Sequence, residues 1–283
     1  MQKRSTLYII LTSVALLVLL IGVGIVITLI KGSIPAFNEF GLNFIISDNW
    51  DPSSGKENYG ALPFIIGTLY TSVIALFIAI PLSFSTAIIT SEYLNNNKIG
   101  VYIRTMVDML AGIPSIVYGL WGFYILRPFI VELGLSDQGY GIFTSSIILA
   151  IMIIPYASSI IYEVINLVPV SFKEAAYALG ATKREVIFNI IIPNAKTGIF
   201  AGFILALGRA LGETMAVTML IGNSNNIPKG LFDTGNTMAS LIANQFGEAD
   251  GLKLSSLFAI SLLLFIITAV LNYIGKFIMK KIV

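Results

Sequence analysis

Cysteine and histidine are both absent from the 283 residues. Without cysteine there is no disulfide and no thiolate chemistry. Without histidine the chain lacks the usual zinc or haem ligand and the usual general base near neutral pH. An enzyme built from this sequence would have to run on carboxylates or hydroxyls, and its carboxylates are not clustered. We therefore expect no catalytic residue, no metal and no cofactor. Charge is scarce as well: 11% of residues are charged, against about 25% in a soluble domain. The net charge of +2 is too small to imply a nucleic-acid partner. A phosphate-cradling G-x-x-x-x-G-K-[ST] loop is missing too, since Glu57 follows Gly55-Lys56 and Phe277 follows Gly275-Lys276. Any ATP hydrolysis belongs to another chain.

What remains is apolar: 56% of residues are hydrophobic, and they cluster into runs. Leu7 to Ile30 is long enough to exceed a hydrocarbon core of about 30 Å. No small-residue cleavage site follows it, so it reads as an uncleaved first span. Residues 31 to 63 form the longest polar segment, a loop with one amphipathic turn near Phe37 to Ile46. Trp50 and Tyr59 are expected there at headgroup level. Further spans run from Leu62 to Thr90 with Pro81, Val101 to Leu126 with Asp108 and Pro114, and Ile142 to Leu167 with Pro155. The last two run from Ala195 to Ile221 and from Leu254 to Phe277. This makes an all-α membrane protein with six transmembrane helices and both termini on one side. Counted by side, eleven basic residues flank the spans on the side of the termini and five on the other. By the positive-inside bias the termini are cytosolic. Residues 1–58 form an added first span and external loop, and 59–283 the main transmembrane domain.

Between the fourth and fifth spans, Ser171 to Pro193 forms a cytosolic elbow. Ser171 with Glu174, and Thr182 with Glu185, are spaced as capping boxes, and Gly180 is a helix stop. Pro193 is expected to end the second short helix. Phe172, Ala175, Ala176 and Leu179 share one face. Spacing alone leaves two readings, a helix lying on lipid headgroups or one docked on a partner. Glu174-Ala175-Ala176, then Gly180, then Ile190-x-Ile192-Pro193 is similar to the EAA motif of ABC-importer permeases, with Ile192 in place of the usual Leu. The resemblance implies that Phe172, Glu174, Ala175, Ala176, Leu179 and Gly180 couple the chain to a cytosolic ATPase.

The fifth span carries Arg209 and Glu213, four residues apart. On a continuous helix they share a face. Gly198 with Gly202, and Gly208 with Gly212, are small-xxx-small pairs suited to close packing. Measured from Ala195, Arg209 lies about 21 Å along the helix, past the membrane midplane. An intramembrane Arg costs about 2.5–3.5 kcal/mol on the insertion scale and usually faces a bundle interior or a wet path. Two readings stand: a structural ion pair, or an anion passage in which Arg209 binds and Glu213 prevents trapping. Asp108 either pairs with Arg104 or joins that passage.

Three stretches extend the resemblance: Tyr59-G-A-L-P-F-I-I-G-T-L-Y-T-S, Leu110-A-G-I-P-S-I-V-Y-G-L-W-G and Arg209-A-L-G-E-T-M-A-V-T-M-L-I-G-N. They resemble the permeases of phosphate-specific ABC importers. The G-E-T-M-A-V-T run is similar to the C-type of the two paired permeases, where the A-type usually carries G-E-T-A-P. The resemblance implies a MetI-like ABC importer permease fold in the cytoplasmic membrane of a prokaryote. It also implies four kinds of neighbour: a second, A-type permease, two ATPase subunits, an external phosphate-binding protein, and surrounding membrane lipid. Rival readings are an importer of another substrate with the same fold, and a stand-alone channel or secondary carrier. Against the second stand the elbow and the lack of an internal repeat.

Overall fold

A computed structural model describes residues 2–53, 57–95 and 97–282. Met1, Ser54, Gly55 and Lys56, and Asn96 of the turn after the second span, lie outside the described residues. The chain is helical apart from a minimal hairpin. Helix α1 (Gln2–Phe40) is followed by α2 (Asn43–Ile46), β1 (Trp50–Asp51) and β2 (Asn58–Tyr59). Then come α3 (Leu62–Ile88), α4 (Lys98–Ala111), α5 (Ser115–Trp121), α6 (Arg127–Glu132) and α7 (Ile142–Asn166). The elbow holds α8 (Val170–Ala178) and α9 (Lys183–Val186), and α10 (Ile192–Leu211), α11 (Met215–Thr218), α12 (Met238–Gln245) and α13 (Gly251–Ile282) complete the chain.

Among the described residues, five helices are long and apolar enough to cross a membrane. A sixth crossing results when α4 and the α5–α6 run, bent by 96°, are taken as one span. The expectation of one straight span from Val101 to Leu126 is thus corrected. Pro114 disfavours helical backbone at Ile113 and brings no N–H of its own. The chain accordingly leaves α4 at Gly112 and re-enters a helix at Ser115.

The fifth span is corrected at both ends. The helix that carries it does not begin at Ala195: the helical run starts at Lys183, inside the elbow, and continues to Leu211. Pro193 does not end a helix; it sits in the first turn of α10. A π-turn over Ile187–Ile191 opens the ladder just ahead of it, where the missing N–H and the ring would otherwise disrupt an α-turn. The run ends at Leu211, ten residues short of the expected Ile221.

Helix α3 packs along α7, and buried Thr68, Thr71, Ser72, Ser145 and Ser146 line these helices. Each hydroxyl donates to a carbonyl one turn back on its own helix. Small satisfied polar groups of this kind let helices approach without an unpaired donor. Helix α10 lies against α7 at Gly198 and Gly202, where a β-carbon at 198 would sit 2.3 Å from Val164. The first small-xxx-small pair therefore packs as expected. The second does not: the nearest atom to a β-carbon at Gly208 is 3.5 Å away, and Gly212 faces open space.

The segment expected as a loop from residue 31 to 63 is largely ordered. Helix α1 runs on to Phe40 and packs on α13, with the Ala36 N–H donating to Ser255 Oγ at 2.9 Å. Trp50 and Tyr59 are buried rather than set at headgroup level. Their rings meet edge to face at 4.8 Å, Phe64 closes on Trp50 at 5.1 Å, and Phe44 completes the core. Burial, with Glu57, Asp250 and Asp51 nearby, pushes the Tyr59 phenol up to about 12.

The tightest contact in the fold is at Gly67, where a β-carbon would fall 2.0 Å from the Asn236 carbonyl oxygen. Beside it, Thr68 Oγ1 accepts from the Met238 N–H at 3.0 Å. Gly67→Ala should cost about 1–3 kcal/mol of stability through overpacking, whereas Gly212→Ala should change it by about 0.5 kcal/mol or less. Thermal melting of the purified protein in detergent compares the two; equal melting points would contradict the packing.

Candidate substrate passage and coupling elbow

The break after α10 organises the first site. Arg209 lies in the last turn of α10 and Glu213 lies beyond its end, between Gly212 and α11. They are therefore not on one continuous helical face, and no ion pair joins them among the described residues. A cation in the last turn instead meets the negative end of the helix dipole. Arg209 is exposed on the subunit surface and Glu213 is half-buried. The Glu213 N–H still donates to the Ala210 carbonyl at 3.2 Å, and Thr214 Oγ1 donates to the Gly212 carbonyl at 3.2 Å.

Helix α5 packs on the short helix that follows this break. A β-carbon at Gly119 would lie 3.1 Å from the Ala216 α-carbon, and one at Gly122 would lie 2.6 Å from Leu220. The two glycines of Tyr118-G-L-W-G thus let α5 sit directly on α11. Tyr118 is buried, its hydroxyl donates to the Leu110 carbonyl at 2.8 Å, and it lies within electrostatic range of Arg209. Two stretches distant in sequence, Leu110–Gly122 and Arg209–Asn223, meet as one seam with Arg209 at its end.

Asp108 belongs to a different cluster. Arg104 Nε lies 3.8 Å from Asp108 Oδ2, Ser159 Oγ donates to Asp108 Oδ1 at 3.0 Å, and the Arg104 guanidinium stacks 3.9 Å over Tyr162. These contacts hold α4 on α7. No contact joins Asp108 to Arg209 or Glu213 among the described residues.

At the elbow, Gly180 has φ +84°. The Ala181 N–H donates to the Ala176 carbonyl at 3.1 Å and the Gly180 N–H to the Tyr177 carbonyl at 2.9 Å. This Schellman turn is what a glycine stop forms. The second capping box is present: the Thr182 N–H donates to Glu185 Oε2 at 2.7 Å, and the Glu185 N–H to Thr182 Oγ1 at 3.4 Å. The first is not. Pro169 is the N-cap of α8, so Ser171 and Glu174 fall inside the helix. Proline fixes the entry angle that Ser171 was expected to provide.

Of the four residues on the shared face, Ala176 turns inward onto Ile165, Val168 and Val186, while Phe172, Ala175 and Leu179 are exposed, Leu179 at 90%. Glu174 is exposed beside them. Sequence reasoning missed the anchor. Lys173 forms a mostly buried ion pair with Glu92, and the Lys183 ammonium lies 5.1 Å from the Tyr93 ring. Both tie the elbow to the π-turn at the end of α3 (Ile89–Tyr93). A charged residue within an apolar run, as Glu92 follows the second span, was the available signal.

The sequence model of the family described as binding-protein-dependent transport system inner membrane component matches residues 79–283. The chain belongs to this family. It is 42% identical to the phosphate transport system permease protein PstC of Haemophilus influenzae, across 94% of this chain and 90% of the relative. It is 40% identical to the protein of the same name from Pasteurella multocida, across 95% and 89%. The fold is similar to a chain of a bacterial alginate ABC transporter, with TM-score 0.68 and 16% identity over 96% of this chain and 94% of that one. A second neighbour is a chain of the MetNI methionine ABC transporter, with TM-score 0.62 and 16% identity over 77% and 93%. The protein is thus an all-α, multi-pass inner-membrane component with an ABC permease fold.

In this permease the elbow's two anchors respond differently to perturbation. Glu92→Gln leaves Lys173 mostly buried without a carboxylate and should cost about 2–4 kcal/mol, read as a lower melting point. The Thr182 backbone N–H and hydroxyl hold the Glu185 carboxyl below the usual carboxylate range. Its contribution to the elbow is therefore complete above that range and is lost as pH falls through the lowered value. Hydrogen-exchange protection at Lys183–Val186, corrected for intrinsic rates, should fall on acidification, and Glu185→Gln should remove that pH dependence.

Proposed function

We propose that the chain is one of two permease subunits of an ATP-driven importer of inorganic phosphate. The observation that carries this reading is the match, along nearly the whole chain, to relatives named as phosphate transport system permeases. The physical support is Arg209, an exposed guanidinium with no carboxylate partner among the described residues. A guanidinium stays charged at every physiological pH and forks onto phosphate oxygens. Glu213, a few residues on, weakens the local positive potential, so that the anion passes rather than lodges.

In this reading residues 59–283 act as the permease domain, with 1–58 an added span and outer loop. Both termini and the elbow face the cytosol. A second, A-type permease completes the passage, an external phosphate-binding protein delivers the anion, and two ATPase subunits hydrolyse ATP. The exposed face of Phe172, Ala175 and Leu179, with Glu174 beside it, docks one ATPase. Ala176 and the Gly180 turn hold that face in position. Movement of the ATPases reaches the spans through Lys173–Glu92 and the apolar contacts of Ala176. Asp108, clamped to α7, steadies the corner that leads to Tyr118.

Arg209→Gln should abolish phosphate uptake by intact cells while membrane abundance of the protein is maintained. Normal uptake would remove Arg209 from the passage. Glu174→Arg or Gly180→Arg should instead release the ATPase during purification; retention of a coupled ATPase would contradict docking at this face.

A further inference from the structure

Beyond the seam, on the face opposite the elbow, lies a cavity of about 430 Å³. Phe123, Gln138, Tyr140, Thr218, Asn223 and Thr234 line it. Its walls are loops stitched to one another. The Gly141 N–H donates to the Leu220 carbonyl at 3.0 Å, the Gly235 N–H to the Ile221 carbonyl at 3.0 Å, and the Ser224 N–H to the Gly235 carbonyl at 2.9 Å. Gly222 and Asn223 follow each other with φ +89° and +52°. Asn223 is the only non-glycine with positive φ among the described residues. Its side chain holds that conformation: Nδ2 donates to the Thr218 carbonyl, and Oδ1 accepts from Ser240 Oγ and Asn244 Nδ2, each at 3.0 Å. A strained residue kept by three hydrogen bonds marks a wall that is built rather than incidental.

A guanidinium stands behind the opposite wall without lining the cavity itself. Arg127 Nε donates to the Gln138 carbonyl at 2.7 Å, and the guanidinium stacks 4.1 Å from the Tyr140 ring and 5.0 Å from Phe123. No carboxylate lines the cavity. Asp137 and Asp233 line the neighbouring cleft, and Asp233 Oδ2 there accepts the N–H groups of Lys229 and Gly230. The Tyr140 hydroxyl, the Thr234 hydroxyl and the Gln138 amide have no hydrogen-bond partner within the described chain. Three free donors beside a backing cation, with no carboxylate in the lining although the acidic cleft shares Gln138 and Thr234 with it, suit an oxyanion. The space exceeds a single tetrahedral oxyanion and leaves room for its first-shell waters.

We propose that this cavity is an outer receiving site for a hydrated tetrahedral oxyanion, which is phosphate on the reading above. The segment Arg209–Thr218 links the seam to the cavity wall, and on this proposal an anion leaving the cavity passes to Arg209. The site rests on the phosphate reading for its cargo, not for its chemistry.

The test uses the assembled transporter in maltoside detergent, without binding protein or ATP, and inorganic phosphate as the probe. Phosphorus NMR line broadening reports binding. Tyr140→Phe combined with Thr234→Val removes two donors with little change of shape. It should weaken binding at least about tenfold, as expected for lost hydrogen bonds to a charged ligand, with the melting point unchanged. Arg209→Gln should abolish uptake in proteoliposomes yet leave the broadening. Broadening that survives the double variant, or that Arg209→Gln removes, overturns the proposal, since the anion would then sense only the inner cation. A wild-type complex that broadens the phosphate line but imports a different solute supports the outer site and refutes the cargo reading.

Discussion

A backbone that leaves the helix inside a bilayer must find hydrogen-bond partners within the protein. This chain leaves it at Gly112–Pro114 and again at Gly212–Thr214, and local hydrogen bonds close the backbone at both places. At the first, the Gly112 and Ile113 N–H groups turn back to Met109 and Leu110, and the Tyr118 hydroxyl caps the Leu110 carbonyl. At the second, Glu213 N–H and Thr214 Oγ1 close on Ala210 and Gly212. The helices that follow the two breaks, α5 and α11, pack on each other through Gly119 and Gly122. Non-helical backbone at membrane depth is tolerated where protein buries it or a wet passage runs beside it; on the proposed reading Arg209, beside the second break, faces that passage.

The second constraint is mechanical. On the proposed docking, an elbow moved by an ATPase transmits nothing unless it is fixed to the spans. Here the fixing is done by a mostly buried ion pair, Lys173–Glu92, and by Ala176 inside the apolar cluster of Val186, Ile187 and Ile191. The Schellman turn at Gly180 and the Thr182–Glu185 box hold the angle between α8 and the long run that begins at Lys183. That run reaches Arg209 without a bend large enough to divide it, because the π-turn absorbs Pro193. Elbow and cation therefore sit at the two ends of one helical rod.

Most of this architecture was legible in the residues. Apolar runs placed α3, α7 and α13 within a few residues of their observed ends. The Gly180 stop and the Thr182–Glu185 box are local chemistry and formed as read. Failures came where tertiary context outvoted a local rule. Ser171 lost its cap to Pro169, Pro193 was absorbed rather than obeyed, and Trp50 and Tyr59 left the headgroup level for an aromatic core. The Arg209–Glu213 spacing implied one face only while the helix was assumed to continue.

By itself the sequence determined composition-level facts: a membrane protein without histidine or cysteine chemistry, without its own ATPase loop, and with an elbow of the importer type. These follow from residue identity and short-range spacing. Only the tertiary structure decided that α5 lies on α11, that Glu92 anchors Lys173, and that Arg209 ends a helix and has no carboxylate partner among the described residues. Each depends on groups far apart along the chain being brought within a few ångströms, and periodicity holds no record of such distances.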